Sequence, residues 1–162
     1  MPENKTLIAY VTKGGATEKY ASEIATILRE KYGLEVDLVN LNKDKSPDLS
    51  KYQNIIVGTG VRMFRVYGKA VKFIKNNNFD GKKTALFLAS GKAGNPKTYD
   101  DAIRDYVNKQ ILDKNLHFKP VAAAAFGGRT RIFGRDMDPP GYAEQVMTKV
   151  KAWAEELGKQ LT

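Results

Sequence analysis

The 162-residue chain has no cysteine and a single histidine, His117. Without thiols it forms no disulfide, holds no cysteine-ligated iron–sulfur cluster and runs no thiol redox cycle. One imidazole cannot build a multi-histidine metal site. Any redox chemistry therefore needs a bound organic cofactor or a metal held by other ligands. No apolar run approaches the ~20 residues of a membrane-spanning helix. The N-terminal residues Met1-Pro2-Glu3-Asn4-Lys5 carry no apolar signal segment. The expectation is a cytoplasmic protein with no transmembrane segment, folded as a single domain over residues 1–162 with a sizeable core.

Carboxylates are scarce beside bases. There are 18 Asp and Glu against 27 Lys and Arg, a net charge of +9. That balance suits an anionic partner: an acidic protein, an anionic membrane surface or nucleic acid. The basic residues are spread along the chain, many on expected helix faces where solvation explains them. No nucleic-acid-binding module or interleaved aromatic–basic motif is present, so nucleic acid is not the expected partner.

What is present is an alternation of short apolar runs with helical patterns. Lys5 to Val11 reads as a buried strand. Thr17 to Tyr32 reads as a helix, with Tyr20, Ile24, Ile27 and Leu28 at helical spacing and Gly33 as its C-terminal cap. Glu35 to Leu41 is a second strand, in which Asp37 fits an acid on an exposed edge. Ser46 to Ser50 suggests a short capped helical turn with Pro47 at its first position. A third strand runs from Asn54 to Thr59, a helix from Val66 to Asn77, and a fourth strand from Lys83 to Ser90. A helix from Lys97 to Leu112 follows, then a fifth strand from Phe118 to Phe126 that His117 leads as a surface residue. The last helix, Gly141 to Leu161, has a stripe of Val146, Val150, Trp153, Leu157 and Leu161 that suits a core face. Five strands alternating with helices predict a parallel sheet covered on both faces, with right-handed crossovers.

Between the first strand and first helix lies Thr12-Lys13-Gly14-Gly15-Ala16-Thr17. The amides of a helix N-terminus lack intrahelical acceptors and carry partial positive charge, so a glycine- and hydroxyl-rich turn there is suited to phosphate. The turn is neither G-x-G-x-x-G nor a triphosphate loop ending in G-K-[ST]. A plain strand–helix turn with a capping threonine is the alternative that these residues alone leave open. Strand one ends in Thr12-Lys13, without the acidic pair of a phospho-receiver.

The spacing [ST]-x-[TG]-G-x-T resembles the flavodoxin family, in which this turn grips the phosphate of FMN. The resemblance extends from Leu7 to Leu161 and implies a three-layer α/β/α sandwich, its five parallel strands in the order 2-1-3-4-5. Ile56-Val57-Gly58-Thr59-Gly60-Val61-Arg62, Phe126-Gly127-Gly128-Arg129 and the closing Ala152-Trp153-Ala154-Glu155-Glu156-Leu157 are most similar to the branch that includes menaquinone-dependent protoporphyrinogen oxidase. In that strand order the loops after strands one, three and four converge. The resemblance implies that Thr12, Lys13, Gly14, Gly15, Ala16 and Thr17 hold the FMN phosphate, with Gly14 offering an amide where many relatives have a threonine hydroxyl. It implies that Thr59, Gly60, Val61, Arg62, Met63 and Phe64 form the first flavin loop, and Ser90, Gly91, Lys92 and Gly94 the second. Phe64 and Tyr67 are the aromatic candidates for stacking on the ring. No catalytic acid or base and no metal site are expected. The implied function is an electron carrier between redox proteins, with an acidic partner such as a ferredoxin. The alternatives are a flavin-dependent oxidoreductase of the protoporphyrinogen oxidase or quinone reductase type, and a flavin-free doubly wound domain. Arg62, Arg65, Lys69, Lys92 and Lys97 around these loops should stabilise a reduced, anionic cofactor. The basic and apolar stretch Gly127 to Pro140 is suited to an acidic protein, a peripheral membrane contact or a carboxylate-bearing substrate.

Overall fold

The computed structural model describes residues 5–128, 131, 132, 135, 136 and 138–162. The order of elements is β1 (Lys5–Tyr10), α1 (Ala16–Tyr32), β2 (Glu35–Asn40), β3 (Asn54–Arg62), β4 (Arg65–Val66), α2 (Gly68–Asn76) and β5 (Lys83–Ser90). A 3-10 turn (Lys92–Gly94) leads into α3 (Tyr99–Ala102), which continues as a π-helix (Ile103–Leu112). Then come β6 (Ala122–Gly127), the strands β7 (Arg131–Ile132) and β8 (Arg135–Asp136), and α4 (Tyr142–Leu161).

The sheet runs β2-β1-β3-β5-β6, all parallel, which is the expected order with β5 and β6 as the fourth and fifth long strands. Strand β4 adds a sixth member, antiparallel to the end of β3. Side chains alternate across the pleat. Leu7, Ala9, Ile55, Val57, Leu86 and Leu88 face a layer containing Phe73, Ile74, Val107 and Ile111 from α2 and the π-helix. Ile8, Ile56, Ala85 and Phe87 face the opposite layer, where Ile24, Leu28, Val150 and Leu157 come from α1 and α4. Each fully buried Leu or Ile contributes about 1.5–3 kcal/mol, so the two layers dominate the stability of the fold. Trp153 stands between Phe87 and Phe126, at ring separations of 6.1 and 5.8 Å, on the α4 face. Gly58 is a glycine because Phe87 of the neighbouring strand lies over it: an added Cβ would come 2.2 Å from that ring.

Helix α1 ends as expected at Gly33 (φ 63°), whose amide donates to the Arg29 carbonyl while Leu34 donates to Leu28. Asp37 lies on the edge strand β2 and accepts a 2.7 Å hydrogen bond from the Tyr52 hydroxyl. This bond, aided by Lys5, holds its carboxyl below the usual range. Four expectations need correction. Ser46 to Ser50 is not helical, because Asp44 and Asp48 accept the amides of Ser46 and Ser50 in side-chain-closed turns. Strand β3 extends past Thr59 to Arg62, so Gly60 to Arg62 is strand rather than loop. Beyond Ala102 the expected helix from Lys97 to Leu112 is a π-helix; its apolar residues Ile103, Val107 and Ile111 repeat every four residues, wider than the 3.6 of an α-helix. Finally, β6 begins at Ala122, not Phe118; Phe118 packs edge-on against Phe79 before the strand starts, and His117 sits in a turn with its Nε2 2.8 Å from the Ile74 carbonyl.

Candidate functional site

The strand ends do converge. At the carboxyl edge of the sheet a cavity of about 110 Å³ lies between four chain segments. One wall is Thr12, Lys13, Gly14, Ala16 and Thr17, from the turn after β1. Gly60, Val61 and Tyr67 come from β3 and the approach to α2. Ala89, Ser90 and Gly91 close the β5 side, and Gly128 contributes from the end of β6.

The turn is built almost entirely from its own residues. Gly15 adopts φ +92°, a conformation that L side chains rarely take, so a glycine is required there. Its amide donates to Thr12 Oγ1 at 3.0 Å, which curls the chain back on itself. The helical ladder begins when Lys19 donates to the Gly15 carbonyl, so the amides of Ala16, Thr17 and Glu18 precede any intrahelical acceptor. Thr17 is buried at the base of the cavity, and Lys13 stands at its mouth with Nζ 4.8 Å from the centre of the Tyr67 ring. The carboxylate nearest in sequence, Glu18, does not line the cavity. It is tied down by the Tyr10 hydroxyl at 2.9 Å. Burial, then that carboxylate, pushes the Tyr10 hydroxyl up to about 12.

The cavity therefore offers main-chain amides, hydroxyls and a lysine, and no lining carboxylate. That donor set fits a phosphate ester. The volume is below the roughly 300–1,000 Å³ of sites that enclose a drug-sized ligand. It suits the phosphate end of a nucleotide and leaves a ring system to lie outside.

The β3 wall ends in a tight hairpin. Arg62 pairs with Arg65, and Met63 and Phe64 form the two-residue tip. Both tip residues have positive φ, 54° and 64°, and are 83 % and 71 % exposed. Hairpins of this type normally place Asn or Gly at such positions. Large apolar residues there are strained, and such strain collects at functional sites. The tip is held from the π-helix. Gln110 Oε1 accepts from the Val66 amide at 2.8 Å, and its Nε2 donates to the Phe64 carbonyl at 2.9 Å. Lys92 stands 5.4 Å from the centres of both the Phe64 and Tyr106 rings and 3.5 Å from Asp105.

The other candidate residues lie apart from the cavity. Thr59 is buried, its hydroxyl donating to the Gly60 carbonyl. Arg62, Met63 and Phe64 project at the hairpin edge, and Lys92 faces the hairpin and α3. Gly94 lies against Tyr142, whose hydroxyl an added Cβ would meet at 2.1 Å. Reasoning from the sequence missed Ala89 and Gly128. Gly128 is fixed when its amide donates to the Ser90 carbonyl at 2.9 Å and its own carbonyl accepts from the Tyr142 hydroxyl at 3.0 Å. The Gly-Gly pair after β6 was the available signal. Of the stretch from Gly127 to Pro140, the expected roles of Arg129, Phe133 and Met137 fall outside the described residues. Strands β7 and β8 form an antiparallel pair within that stretch.

The sequence pattern of the flavodoxin domain matches residues 7–134. The chain belongs to the flavodoxin domain family. It is 24% identical over 129 residues to the protoporphyrinogen IX dehydrogenase [quinone] of Escherichia coli K12, spanning 78% of this chain and 70% of that protein. Among solved structures it is similar to oxidised flavodoxin 1 of Bacillus cereus, with a TM-score of 0.64 at 19% identity, covering 98% and 99% of the two chains. It is also similar to the FMN-dependent NADH-azoreductase of Bacillus anthracis, solved in complex with FMN, with a TM-score of 0.67 at 13% identity, covering 96% and 100%. The likeness to these two solved structures bears on the fold alone: this chain shares its flavodoxin-like α/β sandwich with both. No helix among the described residues is long and apolar enough to cross a membrane.

Proposed function

We propose that residues 1–162 form a single FMN-binding domain that carries electrons between redox proteins. The reading rests on one observation: a carboxylate-free cavity where the turn Thr12–Thr17 meets the ends of β3, β5 and β6. In this reading Thr12, Gly14, Ala16 and Thr17 hold the phosphate through amides and hydroxyls, Gly15 shapes the turn through its bond to Thr12, and Lys13 adds a positive charge. Gly60, Val61 and Gly91 border the rest of the cofactor, and the Met63–Phe64 hairpin limits the water that reaches its ring. Bound FMN would supply the electron storage that a chain without cysteine cannot. The protein's part is to orient the cofactor, to set its potential through Arg62 and Lys92, and to present its exposed edge. The partner is an acidic protein of the ferredoxin kind, favoured by the net charge of +9.

Fluorescence titration of the purified protein with FMN and with riboflavin tests this reading. Thr17→Val keeps the shape and removes the hydroxyl. A hydrogen bond to a charged group is worth about 1.5–3 kcal/mol, so the FMN Kd should rise at least tenfold while riboflavin binding stays constant. Failure of the wild-type protein to bind FMN would refute the proposal.

The similarity to protoporphyrinogen IX dehydrogenase favours one second reading, an oxidoreductase acting on a small quinone-linked substrate. Potentiometric titration separates the two. A carrier takes up electrons one at a time with no small substrate, whereas the enzyme turns over in pairs with quinone.

A further inference from the structure

Beside the hairpin, between it, α2 and the end of the π-helix, lies an open groove of about 610 Å³. Its floor is apolar: Phe64, Val66 and Val71. Its rim is basic: Arg65, Lys72, Lys75 and Lys114. No carboxylate lines it. The ridge between this groove and the next is α2, which carries Lys69, Lys72 and Lys75 three residues apart, so they stand as neighbours on the helix surface. There is no Asp or Glu between Tyr52 and Phe79 to offset them. Among the described residues, none of the four rim cations lies within ion-pair distance of a carboxylate. Seven other cations among the described residues have carboxylate partners: Lys5, Lys31, Lys92, Arg104, Lys109, Lys151 and Lys159. Neighbouring like charges without counter-charge oppose folding, and an anionic partner relieves that cost.

We propose that this groove is the docking site of the redox partner. The occupant is an acidic protein segment that lays carboxylates along the α2 ridge and seats an apolar side chain on the Phe64–Val71 floor. The proposal rests on the carrier reading above and gives that partner a place. Two features favour a protein. The floor and the exposed Met63–Phe64 tip offer apolar contact that a phosphodiester backbone does not use. A membrane-surface helix needs an outward apolar face, whereas α2 buries its own, Ala70, Phe73 and Ile74, in the core. Phe64 belongs both to the groove and to the hairpin at the edge of the cofactor site, so a partner docked here is brought beside the centre it must exchange electrons with.

The test uses a strongly acidic [2Fe–2S] ferredoxin as the probe, with the full chain both with and without added FMN. Amide chemical shifts should move in α2, β4 and around Lys114, and the affinity should fall steeply with salt. The triple variant Lys72→Glu, Lys75→Glu, Lys114→Glu should weaken ferredoxin binding at least tenfold while the FMN Kd changes less than twofold. A control, Lys43→Glu, Lys119→Glu, Lys149→Glu, makes the same change of net charge at exposed sites outside the groove and should weaken it less than threefold. Equal losses in the two variants, shifts confined to another face, or no ferredoxin binding at low salt would overturn the proposal. So would tighter binding of the same ridge to short duplex DNA or to phosphatidylglycerol vesicles at physiological salt. Because the groove shares no lining residue with the cavity of the phosphate turn, ferredoxin binding can be read on the FMN-free chain. Failure of the docking site is thus separable from failure of FMN binding.

Discussion

The turn Thr12–Thr17 and the Met63–Phe64 hairpin stand on neighbouring strands at one edge of the sheet, yet they are held in different ways. The turn closes over three residues, through Gly15 to Thr12, and its left-handed position is assigned to a glycine, which adopts it without strain. The hairpin puts its positive φ angles on methionine and phenylalanine and is held by Gln110, 44 residues beyond Val66 and 46 beyond Phe64. One side of the site is thus relaxed and local. The other is strained and depends on the packing of a distant π-helix. Local closure suits a part that must hold a phosphate in the same way each time. A strained, remotely clamped tip suits a part that meets a ring and a partner, since it can shift without disturbing the fold.

The largest effect should come from breaking the local side. Gly15→Val forces a branched side chain into a left-handed backbone, at a cost of roughly 1–2 kcal/mol, and turns the Ala16 and Thr17 amides away from the cavity. FMN affinity measured by fluorescence titration should fall about a hundredfold, the worth of two hydrogen bonds to a charged group at about 1.5 kcal/mol each. An unchanged affinity would mean that the turn does not hold the phosphate. The distant clamp should give a smaller effect of a different kind. Gln110→Leu removes both hydrogen bonds to the hairpin, and chemical denaturation should show a loss of about 1–2 kcal/mol. Its signature is that FMN and riboflavin affinities fall by the same factor, because only the ring side is loosened. A loss confined to FMN would erase the distinction between the two sides. The smallest effect is expected at the tip. Met63 is exposed and has φ 54°, so Met63→Gly should relieve strain at the cost of some chain entropy, raising stability by about 0.5 kcal/mol. A drop in melting temperature would show that the tip is not strained.

These differences also explain what could be read from the residues alone. The strands β1 and β5 were legible because each is a short apolar run bounded by turn signals. The Thr12–Thr17 turn was legible because its chemistry lies within six consecutive residues. The glycines of Val57-Gly58-Thr59-Gly60 were visible as a motif, but their reasons were not. Gly58 answers to Phe87 on the next strand, and Gly60 to Tyr67, whose ring an added Cβ would approach to 2.7 Å. Gln110 gave no signal at all, since a glutamine on a helix reads as a solvated residue until its partner appears across the fold. The end of β3 was misread as a loop because the two residues that pair with it, Arg65 and Val66, are too few to register as a strand.

The sequence by itself determined the alternation of strands and helices, the phosphate-suited turn, the absence of thiol and multi-imidazole chemistry, and the excess of positive charge. Each follows from residue type or from spacing along a few neighbours. Only the tertiary structure decided which glycines make room for rings, which residues share the cavity, how the strained hairpin is clamped, and that the unpaired lysines of α2 line a groove with an apolar floor. Those depend on contacts between residues tens of positions apart, fixed by the register of parallel strands and the packing of helices across them.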